Sequence, residues 1–190
     1  SSIPSQYGGR ISSVLNITGK EANKEKFVGV AGIGLLTSKL NLEIPIVKEK
    51  MSLLLSGRTT YSDWIMKKLP EKSGYKDGNA GFYDLGATWS YTIDPFNKVN
   101  VYGYYSHDRF EFNENEKYAY SNMNASVNWR AIFNEKITAN FAAGYDHYDY
   151  MNDESVDIVA AARLKFAINQ IYAKANFDHQ LGNGHTLNYG

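Results

Sequence analysis

Residues 81–178 alternate apolar and polar side chains through one segment after another. The odd positions of residues 122–131 are apolar: Met123, Ala125, Val127, Trp129 and Ala131. Successive side chains of a β-strand point to opposite faces, so this period of two predicts a strand with one apolar and one polar face. The segments at residues 83–93 and 156–166 repeat the pattern. The sequence therefore predicts an all-β chain that forms a long antiparallel, up-and-down meander.

Segment length and side-chain size indicate what the apolar face meets. The segments run about 10 to 15 residues, whereas a tilted transmembrane strand needs about 9 to 11 and a soluble strand about 5 to 6. Small residues recur in mid-strand on the apolar face: Ala87, Ala125, Ala139, Ala143, Ala160, Ala162, Ala173 and Ala175. These side chains would fill a soluble core poorly, but they cost nothing against lipid tails. We therefore expect Val127, Leu164 and Phe177 to face lipid; a soluble β-barrel or sandwich remains the alternative.

Large aromatic side chains lie near the predicted strand ends. The set is Tyr83, Trp89, Tyr91, Tyr118, Tyr120, Trp129 and Phe133. If strand direction alternates, Trp89, Tyr91, Trp129 and Phe133 fall at one level, and the remaining three fall at the other. Aromatic girdles at both interfaces are typical of outer-membrane barrels. The pattern predicts a transmembrane β-barrel.

Composition excludes several classes of protein. The chain has 190 residues with 20 basic and 20 acidic side chains, so no basic field is present to recruit nucleic acid. Cysteine is absent, which excludes disulfide scaffolds, cysteine-ligated zinc and thiol catalysis. No apolar run reaches the length of about 18 residues that a transmembrane helix needs.

The first sixty residues carry a resemblance to a known family. Tyr7-Gly8-Gly9-Arg10 and the apolar run after it resemble the last plug strand of TonB-dependent outer-membrane receptors. Residues 27–46, with Ser-Gly-Arg-Thr-Thr-Tyr at residues 56–61, are similar to the first barrel strands of the Bacteroidetes type. The resemblance implies that residues 1–20 end a plug domain and residues 21–190 begin a barrel. It places the plug–barrel junction at Tyr7, Gly8, Gly9 and Arg10.

Connections between the predicted strands differ in character. Residues 62–80 predict a surface loop with one amphipathic turn, because Trp64, Ile65, Met66 and Leu69 have helical spacing before Pro70. Short turns are expected on one side of the sheet, at residues 94–98, 134–136 and 169–170. The other side is expected to hold residues 112–116, 152–154 and 181–184.

Counting the segments gives about ten strands. They are residues 26–34, 36–46, 51–61, 81–93, 99–110, 117–131, 137–148, 155–166, 171–179 and 186–189. The resemblance implies a barrel of about 22 strands around a plug, of which this sequence would supply somewhat under half. If the first strand instead closed on the last, the chain would be a complete small barrel.

No pattern in the sequence indicates catalysis or a metal site. Asp146-His147-Tyr148-Asp149-Tyr150 is rich in possible ligands but lacks the 12-residue spacing of a calcium loop. His107-Asp108-Arg109 has no nucleophile placed with it by a motif. We therefore predict no catalytic, cofactor-binding or metal-binding residue, and no enzyme.

Charged residues on the polar face are expected to line a wet barrel lumen. The set is Arg58, Asp84, Arg130, Asp146, Arg163 and Lys165. Charges of both signs in a lumen pair with one another or with a plug. Arg10 would need such a partner because an unpaired buried charge is costly, and Asp84 is one candidate.

The resemblance implies TonB-dependent active uptake of a scarce solute across the outer membrane of a Gram-negative cell. Implied partners are outer-membrane lipid, an unknown small solute, and the TonB energy complex acting through a missing N-terminal part of the plug. Two alternatives stay open: a small complete outer-membrane barrel with a structural, adhesive or protease role, and a soluble β-rich binding module.

Overall fold

The described part of the chain forms a single antiparallel sheet. The computed structural model describes residues 13–15, 18–68, 70, 78–113, 116–155, 161–182 and 184–190. Its nine strands are paired in chain order from β1 to β9. The predicted all-β, up-and-down meander is confirmed. The predicted junction at Tyr7, Gly8, Gly9 and Arg10 lies outside the described residues, and with it the predicted pairing of Arg10.

The strands are β1 (Val28–Ile33), β2 (Thr37–Val47), β3 (Met51–Thr60), β4 (Asn79–Asp94), β5 (Asn97–Asn113), β6 (Glu116–Asn134), β7 (Ile137–Ser155), β8 (Ala161–Gly182) and β9 (His185–Tyr189). The strands from β4 to β8 are the longest, with 16 to 22 residues each. The short helix α1 (Asp63–Met66) follows β3, where an amphipathic turn was predicted. Among the described residues, no helix is long and apolar enough to cross a membrane.

Strand β8 corrects the predicted count of about ten strands. Residues 155–166 and 171–179 were predicted as two strands joined by a turn at residues 169–170. Instead β8 runs unbroken for 22 residues, with Asn169 opposite His147 and Gln170 opposite Asp146. The apolar positions do shift from even to odd numbers there. This shift does not mark a turn. It marks the point where the apolar side chains move from one face of a continuous strand to the other.

Tight turns join the strands at one end of the sheet, where β2, β4 and β6 finish; we call it the turn end. Asp94 Oδ1 accepts hydrogen bonds from the backbone N–H groups of Phe96 (2.7 Å) and Asn97 (2.8 Å). The bond from Phe96 holds the pKa of Asp94 below its ordinary value. Asn134 caps the next turn in the same way.

The connection between β8 and β9 was predicted on the opposite side but also lies at the turn end. Gly182 and Gly184 there have φ angles of 93° and 77°, which only glycine adopts readily. At the opposite end of the sheet, which we call the loop end, β1, β3, β5 and β7 finish.

Directly opposed residues share a face, so the pairing defines two faces across the whole sheet. One face carries Leu42, Leu55, Leu85, Val101 and Val127, and we call it the leucine face. The other carries Ser52, Ser90 and Ser106, and we call it the serine face. Leu164 lies on the serine face, which corrects its predicted place beside Val127 and Phe177.

Solvent exposure differs between the two faces of the sheet. On the leucine face Leu85 is 57% exposed and Val127 is 41% exposed. On the serine face Ser52 and Ser90 are 0% exposed. Within the described ranges the buried apolar residues are only Ala22, Ala131 and Ala139. The apolar side chains therefore form no dry core in this part of the chain.

Candidate functional site

A segment before β1 lies across the serine face near the turn end. We call residues 20–26 the strap. Glu43 on β2 anchors its start, accepting hydrogen bonds from Lys20 Nζ (2.5 Å) and from the backbone N–H of Asn23 (2.7 Å). Asn23 Oδ1 then accepts the N–H groups of Glu25 and Lys26, which turns the chain toward β1.

Contacts on the next strands hold the middle of the strap. Lys24 Nζ donates to Thr92 Oγ1 on β4 (2.8 Å), and Lys98 on β5 forms an ion pair with Glu21 (2.5 Å). The backbone N–H of Glu49 donates to the carbonyl oxygen of Lys24 (3.0 Å). The strap thus spans β2 to β5, and it begins at the boundary predicted between plug and barrel.

A row of polar side chains crosses the serine face under the span of the strap. Ser52 pairs with Ser90, and Ser90 pairs with Asn100. Ser52 Oγ, Ser90 Oγ and Asn100 Oδ1 are all buried and have no hydrogen-bond partner among the described residues. Buried polar atoms are nearly always hydrogen-bonded, so this row is suited to ordered water. The covered part of the serine face is polar.

Four of the six predicted lumen residues lie on the serine face: Arg58, Asp84, Arg130 and Asp146. Arg58 pairs with Asp84 (2.7 Å) and also lies over the Phe82 ring, 4.9 Å from its centroid. Asp146 accepts a hydrogen bond from Asn124. The structure thus brings these charges together on one face, although not into one cluster.

The other two predicted lumen residues, Arg163 and Lys165, lie on the leucine face. Arg163 forms an ion pair with Asp153 on that face. Both residues were assigned from the even-numbered apolar pattern of residues 156–166. That assignment is corrected because β8 is continuous with residues 171–177, whose apolar side chains have odd numbers.

The predicted aromatic girdle divides between the two faces. Tyr83, Trp89, Tyr91 and Trp129 lie on the leucine face, and Phe133 is 57% exposed at the turn end. Trp129 stacks on Phe141 at a centroid distance of 5.1 Å. Tyr118 and Tyr120, in contrast, lie on the serine face at the loop end. The structure therefore does not gather all seven residues on one face of the sheet.

About halfway along β5 to β8, the apolar and the polar side chains change places between the two faces. On the leucine face, apolar residues reach from the turn end to Tyr105, Met123, Tyr145 and Ile171, which lie at nearly one level. Beyond that level the same face becomes polar, with Arg109, Lys117, Asp149 and Lys165. We call this boundary the exchange line.

The serine face changes in the opposite sense at the exchange line. Toward the turn end it presents asparagines: Asn100, Asn128, Asn140 and Asn176. Toward the loop end it presents a group that we call the aromatic patch, made of Phe110, Tyr120, Tyr148, Tyr150 and Phe166. The rings of Phe110 and Tyr120 lie 6.4 Å apart, and those of Tyr150 and Phe166 lie 5.1 Å apart.

Sequence reasoning missed the aromatic patch and the strap contacts. Tyr118, Tyr120, Tyr148, Tyr150 and Phe166 all have even numbers. This parity is opposite to that of Met123, Val127 and Phe141, and it could have indicated a change of face. Nothing in the local sequence of the strap shows that Glu21 and Lys98, 77 residues apart, would pair.

The two motifs considered for metal binding or catalysis are split by the sheet. His147 and Asp149 lie on the leucine face, and Asp146 and Tyr148 lie on the serine face. His107 and Asp108 are separated in the same way. In the part of the chain that the structure describes, no group of three acidic or histidine side chains could hold a metal ion.

Comparison with known protein families, with curated proteins and with solved structures gives no match for this chain.

Proposed function

We propose that the chain forms part of the wall of a β-barrel in the outer membrane of a Gram-negative cell, with the leucine face against lipid. The apolar band of the leucine face, which is exposed at Leu85, Met123 and Val127, carries this proposal. From Met123 to Ala131 the band covers eight residue steps, which is about 27 Å along the strand. At a tilt of about 40° this is about 21 Å, close to the apolar band of about 25 Å in such barrels.

The serine face supports the same proposal because it is the polar face that other parts of the chain cover. The strap crosses it, and Ser52 and Ser90 are fully buried there. A soluble sheet would cover its apolar face first, since burial of apolar surface is the main force that favours folding. The leucine face instead leaves Leu85, Met123 and Val127 exposed by 57%, 46% and 41%.

We propose further that this barrel is a TonB-dependent receptor that takes up a scarce solute. In this proposal the barrel has about 22 strands, and the strap leads from a plug into the wall. The resemblance at residues 7–10 and 56–61 supports this assignment, and so does the course of the strap over the polar face. Both edges of the described sheet, β1 and β9, would pair with further strands, because hydrocarbon does not tolerate an open sheet edge.

Membrane fractionation of the native host tests the location. We expect the full chain to remain with the outer membrane after high-salt and carbonate washes and to need detergent for extraction. A soluble binding module would appear in the supernatant, which would refute the proposed location.

Growth genetics tests the uptake function. A strain that lacks this gene should lose growth on one limiting solute, and a strain that lacks TonB should lose growth on the same solute. The double deletion should be no worse than either single deletion. Full growth of the TonB-deficient strain on that solute would favour a barrel with a structural or adhesive role.

A further inference from the structure

The aromatic patch is a continuous surface on the serine face beyond the exchange line. Tyr120 pairs directly with Tyr150, and Tyr150 pairs directly with Phe166. The Tyr148 ring also approaches Phe166, at a centroid distance of 5.9 Å. Phe166 is 44% exposed, and the neighbouring Ile168 is 54% exposed. Aromatic rings are therefore available here to a molecule on the serine face.

Carboxylates border this patch. Asp108 lies directly opposite Tyr120, and the Tyr120 hydroxyl group donates a hydrogen bond to its carboxylate. At the outermost level, Glu116 and Glu154 lie directly opposite each other. No salt bridge to either glutamate occurs among the described residues. Like charges directly opposite on a sheet destabilise it, so a cation between them would relieve a repulsion.

Basic side chains are missing from this part of the serine face. Between the exchange line and the loop end, the described residues of β5 to β8 place no lysine, arginine or histidine on it. On the neighbouring part of the same face, Arg58 of β3 is already paired with Asp84. The opposite face at the same level carries Arg109, Lys117, Arg163 and Lys165. At this level the leucine face thus carries charges of both signs, because Glu111, Asp149 and Asp153 lie there too, whereas the described serine face carries carboxylates without basic side chains.

One buried acceptor adds to the case for a hydrogen-bond donor. Asn152 lies on the serine face between Tyr118 and Leu164, and its Oδ1 atom is buried without a partner in the described chain. An ammonium group can donate to such an oxygen, whereas an anion cannot.

We infer that the aromatic patch, with Asp108, Glu116 and Glu154, binds a small organic cation that has an aromatic or aliphatic body. Rings attract cations through the negative charge of their faces, and the three carboxylates add to this attraction while repelling anions. A bare metal ion is a poorer fit, because the surface between the carboxylates is largely apolar. As a statement about the transported solute, the inference rests on the proposed uptake function; as a statement about binding, it stands alone.

Two matched probes test the charge preference on the purified full chain in detergent. Phenethylammonium and 3-phenylpropanoate both carry a phenyl ring on a short chain, but their charges are opposite. Calorimetric titration at pH 7 should give a dissociation constant at least tenfold lower for the cation. Equal affinities, or tighter binding of the anion, would overturn the inference. The result does not depend on uptake, so a failed growth experiment leaves this binding test interpretable.

Variants locate the site. Tyr150→Leu should weaken phenethylammonium binding at least fivefold, and the pair Asp108→Asn with Glu154→Gln should remove most of the preference for the cation. The matched control is Met123→Leu. Met123 lies on the same strand as Tyr120 but on the leucine face, so this change should leave binding unchanged. Circular dichroism and electrophoretic mobility without heating would show that each variant folds. Unchanged binding in folded Tyr150→Leu would place the cation elsewhere and refute the site.

Discussion

At the residue scale, one glycine on the serine face makes room for an aromatic ring. A Cβ atom added at Gly144 would lie 2.6 Å from the Tyr172 ring on β8, closer than such atoms approach in real structures. Gly103 is a matched control, because a Cβ atom there meets nothing within 4 Å. The two glycines therefore separate the cost of crowding from the general effect of replacing glycine in a strand.

We expect Gly144→Ala to destabilise the folded chain by about 1 kcal/mol, at the low end of the cost of overpacking, because the tip of the Tyr172 ring has to move aside. Urea unfolding in lipid vesicles, followed by tryptophan fluorescence, would measure the change. Gly103→Ala should be neutral or slightly stabilising. If crowding is the cause, adding Tyr172→Ala to Gly144→Ala should cost less than the sum of the two single changes. Strict additivity would contradict this explanation.

Asp94 makes one turn sensitive to acid. Its pKa is lowered in the folded chain, chiefly by the backbone N–H of Phe96 and also by Asn97. A group with a depressed folded pKa contributes stability above its unfolded pKa, and this contribution disappears as the pH falls through the folded value. The unfolded value is 3.8, so we expect the loss below about pH 4.

Unfolding midpoints measured from pH 7 to pH 3 would check this expectation. Asp94→Ala should lower the midpoint at pH 7 and flatten its dependence on pH. Asn134 caps its own turn with the same geometry but does not titrate. Asn134→Ala should therefore lower the midpoint without changing the slope in acid. The same slope in wild type and Asp94→Ala would show that other groups govern acid unfolding.

At the scale of elements, the sequence predicted most strands because period-two alternation is a local property. Trp129, Val127 and Ala125 identify β6 without any knowledge of its neighbours. The sequence did not predict that β8 is continuous, because a shift of apolar parity at Asn169 normally marks a turn. Only the pairing with β7 distinguishes a turn from a continuous strand. The apolar side chains of β7 also move from one face to the other at this level.

The strap could not be predicted for a different reason. Its contacts join residues far apart in the chain, such as Glu21 with Lys98 and Lys24 with Thr92. These pairs leave no periodic trace, since each is a single polar contact between a loop and a strand. The same holds for Ala22, whose burial comes entirely from tertiary structure.

We expect weakening of the strap contacts to expose Ala22. The chain has no cysteine, so Ala22→Cys provides a single reporter for a thiol reagent. Adding Lys98→Gln should speed labelling about two- to fivefold, because partly exposed ion pairs are weak. Arg109→Gln removes the ion pair with Glu111 at the other end of the sheet and should leave the rate unchanged. Equal rates in all three proteins would mean that the pair with Glu21 does not hold the strap.

At the scale of the whole molecule, the exchange line determines how deeply the sheet would sit in a bilayer. Between the turn end and the exchange line, the leucine face is apolar and should contact lipid. The serine face should contact water there. Beyond the line the leucine face carries Arg109, Asp149 and Lys165, so we expect it to leave the bilayer there. The strands continue about eight residues further, or about 27 Å before tilt.

Adjacent residues on opposite faces test this arrangement at nearly constant depth. Environment-sensitive dyes would be attached to Val127→Cys and Ser126→Cys. The dye at position 127 should emit at shorter wavelength and be quenched by brominated lipid. The dye at position 126 should be quenched by aqueous iodide. Beyond the exchange line, Asp149→Cys should show no quenching by brominated lipid although it shares a face with Val127. Lipid quenching at both Val127 and Asp149 would move the boundary toward the loop end. Iodide quenching at Val127 and shielding at Ser126 would show that the leucine face is not against lipid, and the proposed orientation of the sheet would be refuted.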